Sequence, residues 1–143
     1  MDHVVYLDSK AKELENILSE KKTIVVRGAT GRKMPYGKVF EGDTLYFIEN
    51  KGDGLIKAKA DVKNVWESEK QTPEDSKEIL TKNQTKTCLN DSLIKRFSKR
   101  YLILITLKNI KEISLLRINR GSYGNMDDWL PVGKIESVKE VPT

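Results

Sequence analysis

Two stretches of the sequence decide the expected fold: KKTIVVR at positions 21–27 and EGDTLYF at positions 41–47. In the first, Lys22 and Arg27 flank a β-branched run, which favours a strand because such side chains are stiff at χ1 and fit a pleated surface. In the second, a turn leads into another strand. Together they predict a small β-barrel that presents cations beside a groove, which indicates an anionic or nucleotide-like ligand.

The composition is that of an ordinary globular chain, with 143 residues of which 38% are hydrophobic and 33% are charged. This length predicts one domain over residues 1–143. The longest apolar run, YLILITL at 101–107, is far shorter than the ~20 residues that cross a bilayer, so it predicts a buried strand and no membrane partner. The stretch MDHVVY at 1–6 lacks the pattern of a signal peptide, and the single cysteine excludes an internal disulfide. We therefore expect a cytoplasmic protein.

The charge is mildly basic, with 26 Lys and Arg against 21 Asp and Glu and a net charge of +5. Such an excess favours a polyanionic partner when the cations share one face, whereas lysine-rich surfaces also arise for solubility. The sequence leaves open whether the cations converge, and it leaves the oligomeric state open.

Hydrophobic periodicity predicts a mixed α+β fold in which strands outweigh helices. A first helix is expected to begin at the N-cap residues Asp8 and Ser9 and to turn Glu13 away from its apolar face. Further helices are expected after caps at Thr72 and Asn90. Alternating apolar and polar side chains at 56–65 give the clearest strand pattern. Other strands are expected at 4–7, 23–26, 44–49, 101–107, 114–118 and near 135–138.

The residue types used in metal sites and in nucleophile–base catalysis are scarce. His3 is the one histidine and Cys88 the one cysteine, so no zinc-site spacing exists, and we expect no metal and no cofactor. His3 is expected near a frayed terminus, which argues against a Ser-His-Asp or Cys-His arrangement. The adjacent acids at 127–128 are interpreted as loop solvation in preference to magnesium binding.

The connection GATGRKMPYG at 28–37 is rich in glycine and basic residues. Its Lys33 is followed by Met34 and Pro35, so the ending of a P-loop is missing and a nucleoside-triphosphate site is not expected. Its backbone amides, with Arg32 and Lys33, are suited to hold one phosphate. A solvated, mobile loop is the alternative, and the sequence does not decide between them.

Aromatic residues in the loops are candidates for stacking on a nucleobase, a contact worth about 1–3 kcal/mol. We select Tyr36 and also Tyr123, which has Arg120 nearby. Trp129 is interpreted as a plug that closes one end of the barrel, and Trp66 as a core residue.

Three segments carry a family resemblance: ILSEKKTIVVR at 17–27, EGDTLYF at 41–47, and RYLILI at 100–105 followed by KNIK at 108–111. They resemble the ASCH family of the PUA-like superfamily, and the resemblance covers most of the chain. The family signature has the order Gly-x-Lys-x-x-Glu-x-Arg. Lys22 and Arg27 match it, whereas Glu20 stands at the glycine position and Val25 at the glutamate position.

The resemblance implies a PUA-like mixed β-barrel with helices packed on the outside and a cleft beside the first helix. It also implies binding of RNA or of modified nucleosides. One branch of the family hydrolyses an acetylated cytidine with a lysine, a threonine and a glutamate. Lys22 aligns with that lysine, Val25 takes the place of the threonine, and Glu74 or Glu78 is a candidate for the glutamate.

We therefore expect a module that binds RNA or a modified nucleotide without catalysis, because a valine cannot donate, accept or attack. The alternative is a small nucleoside amidohydrolase, in which desolvation lowers the pKa of Lys22 and makes it a base or nucleophile. The candidate ligand-binding residues are Lys22, Arg27, Arg32, Lys33, Tyr36, Arg120 and Tyr123.

Overall fold

The structure, a computed structural model, describes residues 1–50, 52–119 and 128–139. Its strands are β1 (Asp2–Leu7), β2 (Ile24–Ala29), β3 (Thr44–Glu49), β4 (Leu55–Glu67), β5 (Tyr101–Arg117) and β6 (Trp129–Gly133). Its helices are α1 (Glu13–Leu18), α2 (Pro73–Lys82), α3 (Gln84–Thr87) and α4 (Asp91–Phe97), and a 3₁₀ turn follows at Ile135–Val138. None of the described helices has the length and apolar character required to cross a membrane.

The strands form one curled sheet in the order β2-β5-β4-β3-β1-β6. Strands β1 and β3 run parallel, and the other neighbouring pairs are antiparallel. The predicted mixed α+β class is confirmed. The sheet is an open half-barrel and not the closed barrel that was predicted, because the end strands β2 and β6 do not pair with each other in the described chain. The gap between the two ends of the sheet is called the seam below.

Apolar clusters on both faces of the sheet hold it in place. The inner face, which carries Val25, Phe47 and Ile105, packs against α1. The opposite face of β2 and β5 packs against α2 and α4. The burial predicted for Trp129 is confirmed, since this side chain is 1% exposed within the inner cluster.

The first helix differs from the prediction in its start and in its buried face. The Asp8 side chain accepts a hydrogen bond from the Ala11 amide, but the chain then turns through Lys12, whose φ is 54°, and α1 begins only at Glu13. Glu13 is 4% exposed, so the prediction that it points to solvent was wrong. The turn at Lys12 changes which residues of α1 face the sheet. As a result, the Glu13 carboxylate is buried beside Lys22, a contact that hydrophobic periodicity cannot predict.

Other expectations also need correction in detail. The segment at 135–138 is a 3₁₀ turn, and the last described strand is β6. The strands predicted at 101–107 and 114–118 are one continuous strand, β5. Trp66 is 44% exposed and not a core residue, because it lies on the face of β4 opposite that of the inner-cluster residue Val65.

A buried polar chain crosses the sheet near its β6 end. Trp129 Nε1 donates to His3 Nδ1 at 3.1 Å, and His3 Nε2 lies 2.9 Å from Asp43 Oδ2. An indole N–H can only donate, so Nδ1 accepts and the imidazole proton resides on Nε2, facing Asp43. His3 is therefore fully buried in β1, and the expectation of a frayed position was wrong.

Acidification is expected to destabilise the protein through His3. Burial lowers the pKa of His3 from 6.5, although Asp43 opposes the shift. Between the folded-state pKa and 6.5 the unfolded chain binds more protons, so stability is lost as the pH falls through this window. The C2 proton of the one histidine should titrate by NMR at a lower pH in the folded protein than in concentrated urea. A folded-state midpoint at or above the urea value would contradict the prediction, and His3→Gln should flatten the pH dependence of unfolding.

Candidate ligand-binding cavity at the seam

The Arg27 side chain bridges the seam. It extends from β2 at one end of the sheet, and its Nη2 donates to the Tyr6 carbonyl of β1 at 2.7 Å. Its Nη1 donates to the Val26 carbonyl at 2.8 Å. On the other side of the seam, where β1 and β6 are paired, the Tyr6 amide donates to the Asp128 carbonyl at 2.9 Å, just before β6 begins. These bonds hold a cation at a defined place where strand pairing stops.

The guanidinium of Arg27 is held between aromatic rings but keeps one unused donor. Its Cζ lies 5.6 Å from the ring centroids of both Phe97 and Trp129, within cation–π range. Arg27 is 7% exposed, and its Nε has no hydrogen-bond acceptor among the described residues. The nearest carboxylate oxygen, Asp128 Oδ2, lies 3.6 Å away. A buried N–H without an acceptor is costly, so this atom is the strongest sign of a ligand position.

A cavity of about 220 Å³ opens beside Arg27. This is below the roughly 300–1,000 Å³ of sites for drug-sized ligands, so it suits a group such as a phosphate or a single base. The described lining residues come from β2, the 28–37 connection, α4 and β5, and from the residue before β6: Arg27, Gly28, Ala29, Gly31, Lys33, Met34, Pro35, Tyr36, Arg96, Phe97, Tyr101, Ile103 and Asp128. No residue of α1 is among them, so the cavity lies beside α4 and not beside the first helix.

The 28–37 connection forms one wall of the cavity and is anchored on β4 and its extension. The Tyr36 hydroxyl donates to the Ser68 carbonyl, and the Gly37 amide donates to the Glu67 side chain at 2.9 Å. The rings of Tyr36 and Tyr101 meet edge to face with centroids 5.4 Å apart. Arg32 lies over the Tyr101 ring, with its Cζ 5.7 Å from the ring centroid, and is not among the described lining residues. The end of the connection at Pro35 and Tyr36 is therefore packed against the sheet, whereas residues 30–33 are exposed to solvent.

Close packing of β2 against α4 forms the side of the cavity that contains Gly28, Arg96 and Phe97. A Cβ atom at Gly28 would lie 2.0 Å from the Phe97 carbonyl oxygen, so only glycine permits this approach. The approach brings Phe97 and Arg96, at the end of α4, to the same cavity as Arg27.

Lys22 lies outside the described lining of the cavity. It is 1% exposed, and its Nζ lies 3.5 Å from Glu13 Oε1 and donates to the Thr87 carbonyl at 2.5 Å. Burial lowers the pKa of Lys22, with Arg27 adding to the effect, whereas Glu13 opposes it. Glu13 is further held by accepting the Asp8 amide at 2.7 Å. The ion pair thus ties α1 to the segment that precedes β2, and the hydrogen bond to Thr87 ties the same segment to the last residue of α3.

The glutamates that sequence reasoning offered as partners of Lys22 lie on α2. Glu74 lines a separate groove of about 550 Å³ between α2 and α4, and Glu78 pairs with Lys82 at 3.1 Å on the exposed surface. The carboxylate beside Lys22 is Glu13. No three His, Cys, Asp or Glu side chains gather at a metal-binding distance in the parts of the chain that the structure describes.

The structure brings together only some of the predicted site residues. Arg27, Lys33 and Tyr36 line the cavity, Arg32 contacts the ring of Tyr101, and Lys22 is buried elsewhere. The predicted residues at 120 and 123 lie outside the described residues. Sequence reasoning missed Arg96 and Asp128, although the position of Arg96 in the last turn of a predicted helix, next to an apolar residue, placed it near the sheet.

Comparison with solved structures gives the same architecture. The crystal structure of an ASCH protein from Zymomonas mobilis matches with a TM-score of 0.70 at 11% identity, covering 95% of this chain and 90% of that chain. The fold is ASCH-like. A single-residue variant of the same protein gives a TM-score of 0.69 at 10% identity, covering 95% of this chain and 93% of that one. By sequence, the chain matches no family model and no curated protein.

Within this ASCH-like fold, the two cations of the resemblance have different surroundings. Arg27 lies in the seam and faces the cavity, whereas Lys22 is enclosed by Glu13 and the Thr87 carbonyl. Val25, at the position where the family signature has a glutamate, is fully buried in the inner cluster. An apolar residue fits that place because its neighbours are apolar.

Proposed function

We propose that this protein binds RNA or a nucleotide in the seam cavity and catalyses no reaction on it. The observation that carries the proposal is the Nε–H of Arg27, which is buried at the cavity without a described acceptor. Lys33 and Arg96 add two further cations to the lining, and Tyr36 and Tyr101 supply ring surfaces. Cations for phosphate and rings for stacking are the combination that single-stranded nucleic acid requires.

The ASCH resemblance supports this function, since that family is associated with RNA and modified nucleosides. The proposal narrows the set of contact residues. Arg27, Lys33 and Tyr36 contact the ligand, Arg32 supports the ring of Tyr101, and Lys22 stabilises the fold. The predicted contacts at 120 and 123 remain part of the proposal.

The nucleoside amidohydrolase alternative has weaker support. A lysine nucleophile or base must reach the substrate, but Lys22 is 1% exposed and engaged by Glu13 and Thr87. Val25 offers no polar atom in place of a catalytic threonine. We further propose that residues 1–143 act as one PUA-like domain in the cytoplasm.

Binding of RNA is expected to fall steeply with salt, because each neutralised phosphate releases counterions. Fluorescence anisotropy with a pool of single-stranded RNA oligonucleotides, between low and high salt, measures the slope. Lys33→Gln should weaken binding at every sequence and reduce the slope by about 1. Lys63→Gln, an exposed cation on β4 away from the cavity, is the matched control and should leave both unchanged.

The same titration tests stacking at Tyr36. Tyr36→Leu should cost about 1–3 kcal/mol of binding free energy, whereas Tyr36→Phe keeps the ring, loses only the hydrogen bond to the Ser68 carbonyl and should bind more tightly than Tyr36→Leu. Salt-independent binding, or no binding to any oligonucleotide, would overturn the proposed function. Release of free acid from acylated nucleosides by the purified protein would favour the alternative.

A further inference from the structure

We propose that Asp128 is a built-in competitor for a phosphate group at the seam cavity, where the phosphate is held between Arg27 and Arg96. The inference rests on the proposed function and names the chemical group that the cavity recognises. It concerns three side chains from separate parts of the fold: Arg27 of β2, Arg96 of α4, and Asp128, the residue before β6.

The two arginines converge on one carboxylate oxygen without bonding to it. Asp128 Oδ2 lies 3.6 Å from Arg27 Nε and 4.0 Å from Arg96 Nη2. Both distances exceed the roughly 2.7–3.2 Å of an N–H···O hydrogen bond. The carboxylate therefore offers charge to both cations, but it forms a hydrogen bond with neither Arg27 Nε nor Arg96 Nη2. Two arginines that lie too far from one carboxylate to form hydrogen bonds with it leave room for a larger anion, such as a phosphate, that can bond to both.

The position of Arg27 does not adapt to the carboxylate. Its two terminal nitrogens are bonded to the carbonyls of Val26 and Tyr6, so the direction of the Nε–H is set by the backbone of β1 and β2. Arg96, by contrast, has a side chain that is 56% exposed and that contacts the Phe97 ring at 5.6 Å without a hydrogen bond to the described backbone, so it can move toward a ligand more easily than Arg27. A fixed donor and a movable one form a clamp with an adjustable width.

Asp128 is similarly fixed at its backbone and free at its side chain. Its carbonyl accepts the Tyr6 amide at 2.9 Å, whereas its carboxylate is 45% exposed. The side chain can therefore rotate out toward solvent without moving β6. A phosphate presents several acceptor oxygens at once and reaches both arginines by charge-assisted hydrogen bonds. Phosphate binding must displace or tolerate the Asp128 charge, which limits affinity and favours a ligand with additional contacts to the cavity.

Removing the charge of Asp128 should therefore increase affinity. We would titrate the purified protein and its Asp128→Asn variant with adenosine 5′-monophosphate, adenosine and inorganic phosphate by calorimetry. Asp128→Asn should bind the nucleotide about five- to tenfold more tightly and adenosine no more tightly. Asp91→Asn, which removes one charge from α4 outside the cavity, controls for net charge and should change the affinity for neither the nucleotide nor adenosine.

Arg96 provides the second arm of the test. Arg96→Gln should weaken nucleotide binding, and the gain from Asp128→Asn should shrink in the Arg96→Gln background because the residues share one ligand group. Lys95→Gln, on the same helix but lining the α2–α4 groove, is the control. Asp128→Ser repeats the test if the asparagine variant unfolds. A gain with inorganic phosphate equal to that with the nucleotide would identify free phosphate as a sufficient ligand.

Unchanged or weaker nucleotide binding by both Asp128 variants would overturn the inference, and weaker binding would make Asp128 a direct ligand contact. An equal gain for adenosine would also overturn it, since adenosine has no phosphate. If the wild type binds RNA with a steep salt dependence while the Asp128 variants show no gain, the inference fails and the proposed function stands. If the variants gain nucleotide affinity but no RNA binds, the phosphate clamp stands and RNA binding fails.

Discussion

Replacing Glu13 by glutamine is expected to lower the free energy of unfolding by about 3–5 kcal/mol at pH 7. The variant keeps the size of the side chain but leaves the Lys22 ammonium, 1% exposed, without its carboxylate at 3.5 Å. An uncompensated buried charge costs much more than the net contribution of the pair, because desolvation is no longer offset. Urea denaturation followed by circular dichroism measures the loss.

The double variant Glu13→Gln/Lys22→Met should recover most of that stability, because it removes both charges and leaves an apolar side chain of similar length. Glu15→Gln, an exposed residue of the same helix, should change the free energy of unfolding by no more than about 0.5 kcal/mol. A loss for Glu15→Gln as large as for Glu13→Gln would show that helix propensity, not the buried pair, is responsible.

The pH dependence provides a further check on the same pair. Burial lowers the pKa of Lys22 from 10.5, so between its folded-state value and 10.5 the unfolded chain binds more protons and stability rises with pH. Without Glu13 the pKa of Lys22 falls further, and this window extends to lower pH. The deficit of Glu13→Gln should therefore shrink as the pH is raised from 7 toward 10. A constant deficit would contradict the assignment.

Gly28→Ala is expected to be the second large effect, with a loss of about 2–4 kcal/mol in the free energy of unfolding. The new Cβ would lie 2.0 Å from the Phe97 carbonyl oxygen and 2.8 Å from its carbon. Because both atoms belong to backbone, α4 must move away from β2 and loosen the apolar cluster between them. The same movement carries Arg96 away from Arg27, so nucleotide binding should fall as well.

Gly31→Ala is the matched control in the same connection. No atom lies within 4 Å of a Cβ at this position, so the substitution should be neutral or slightly stabilising through reduced entropy of the unfolded chain. Equal stabilities for the two alanine variants would show that the approach of α4 to β2 is not as close as the structure indicates.

Much of the secondary structure follows from the sequence alone. The caps predicted at Thr72 and Asn90 are confirmed, since their side chains accept the amides of Asp75 and Leu93. The alternation at 56–65 lies within β4. These signals act over a few residues, because a capping oxygen reaches only the first turn and a pleat repeats every two residues. The ASCH resemblance, read from three segments, also predicted the architecture that the structural comparison supports.

Only the tertiary structure decided which polar side chains meet. Glu13 looks like a solvated helix residue in the sequence but is the buried partner of Lys22, and Asp128 looks like loop solvation but faces Arg27 across the seam. His3, expected at a frayed terminus, is fully buried between Trp129 and Asp43. Charge and hydrogen-bonding capacity are properties of a residue type, whereas burial and partner choice depend on how the sheet curls and where it stays open. The sequence therefore predicted the strand that ends beside Arg27, whereas the open seam decided that a cavity forms around this residue.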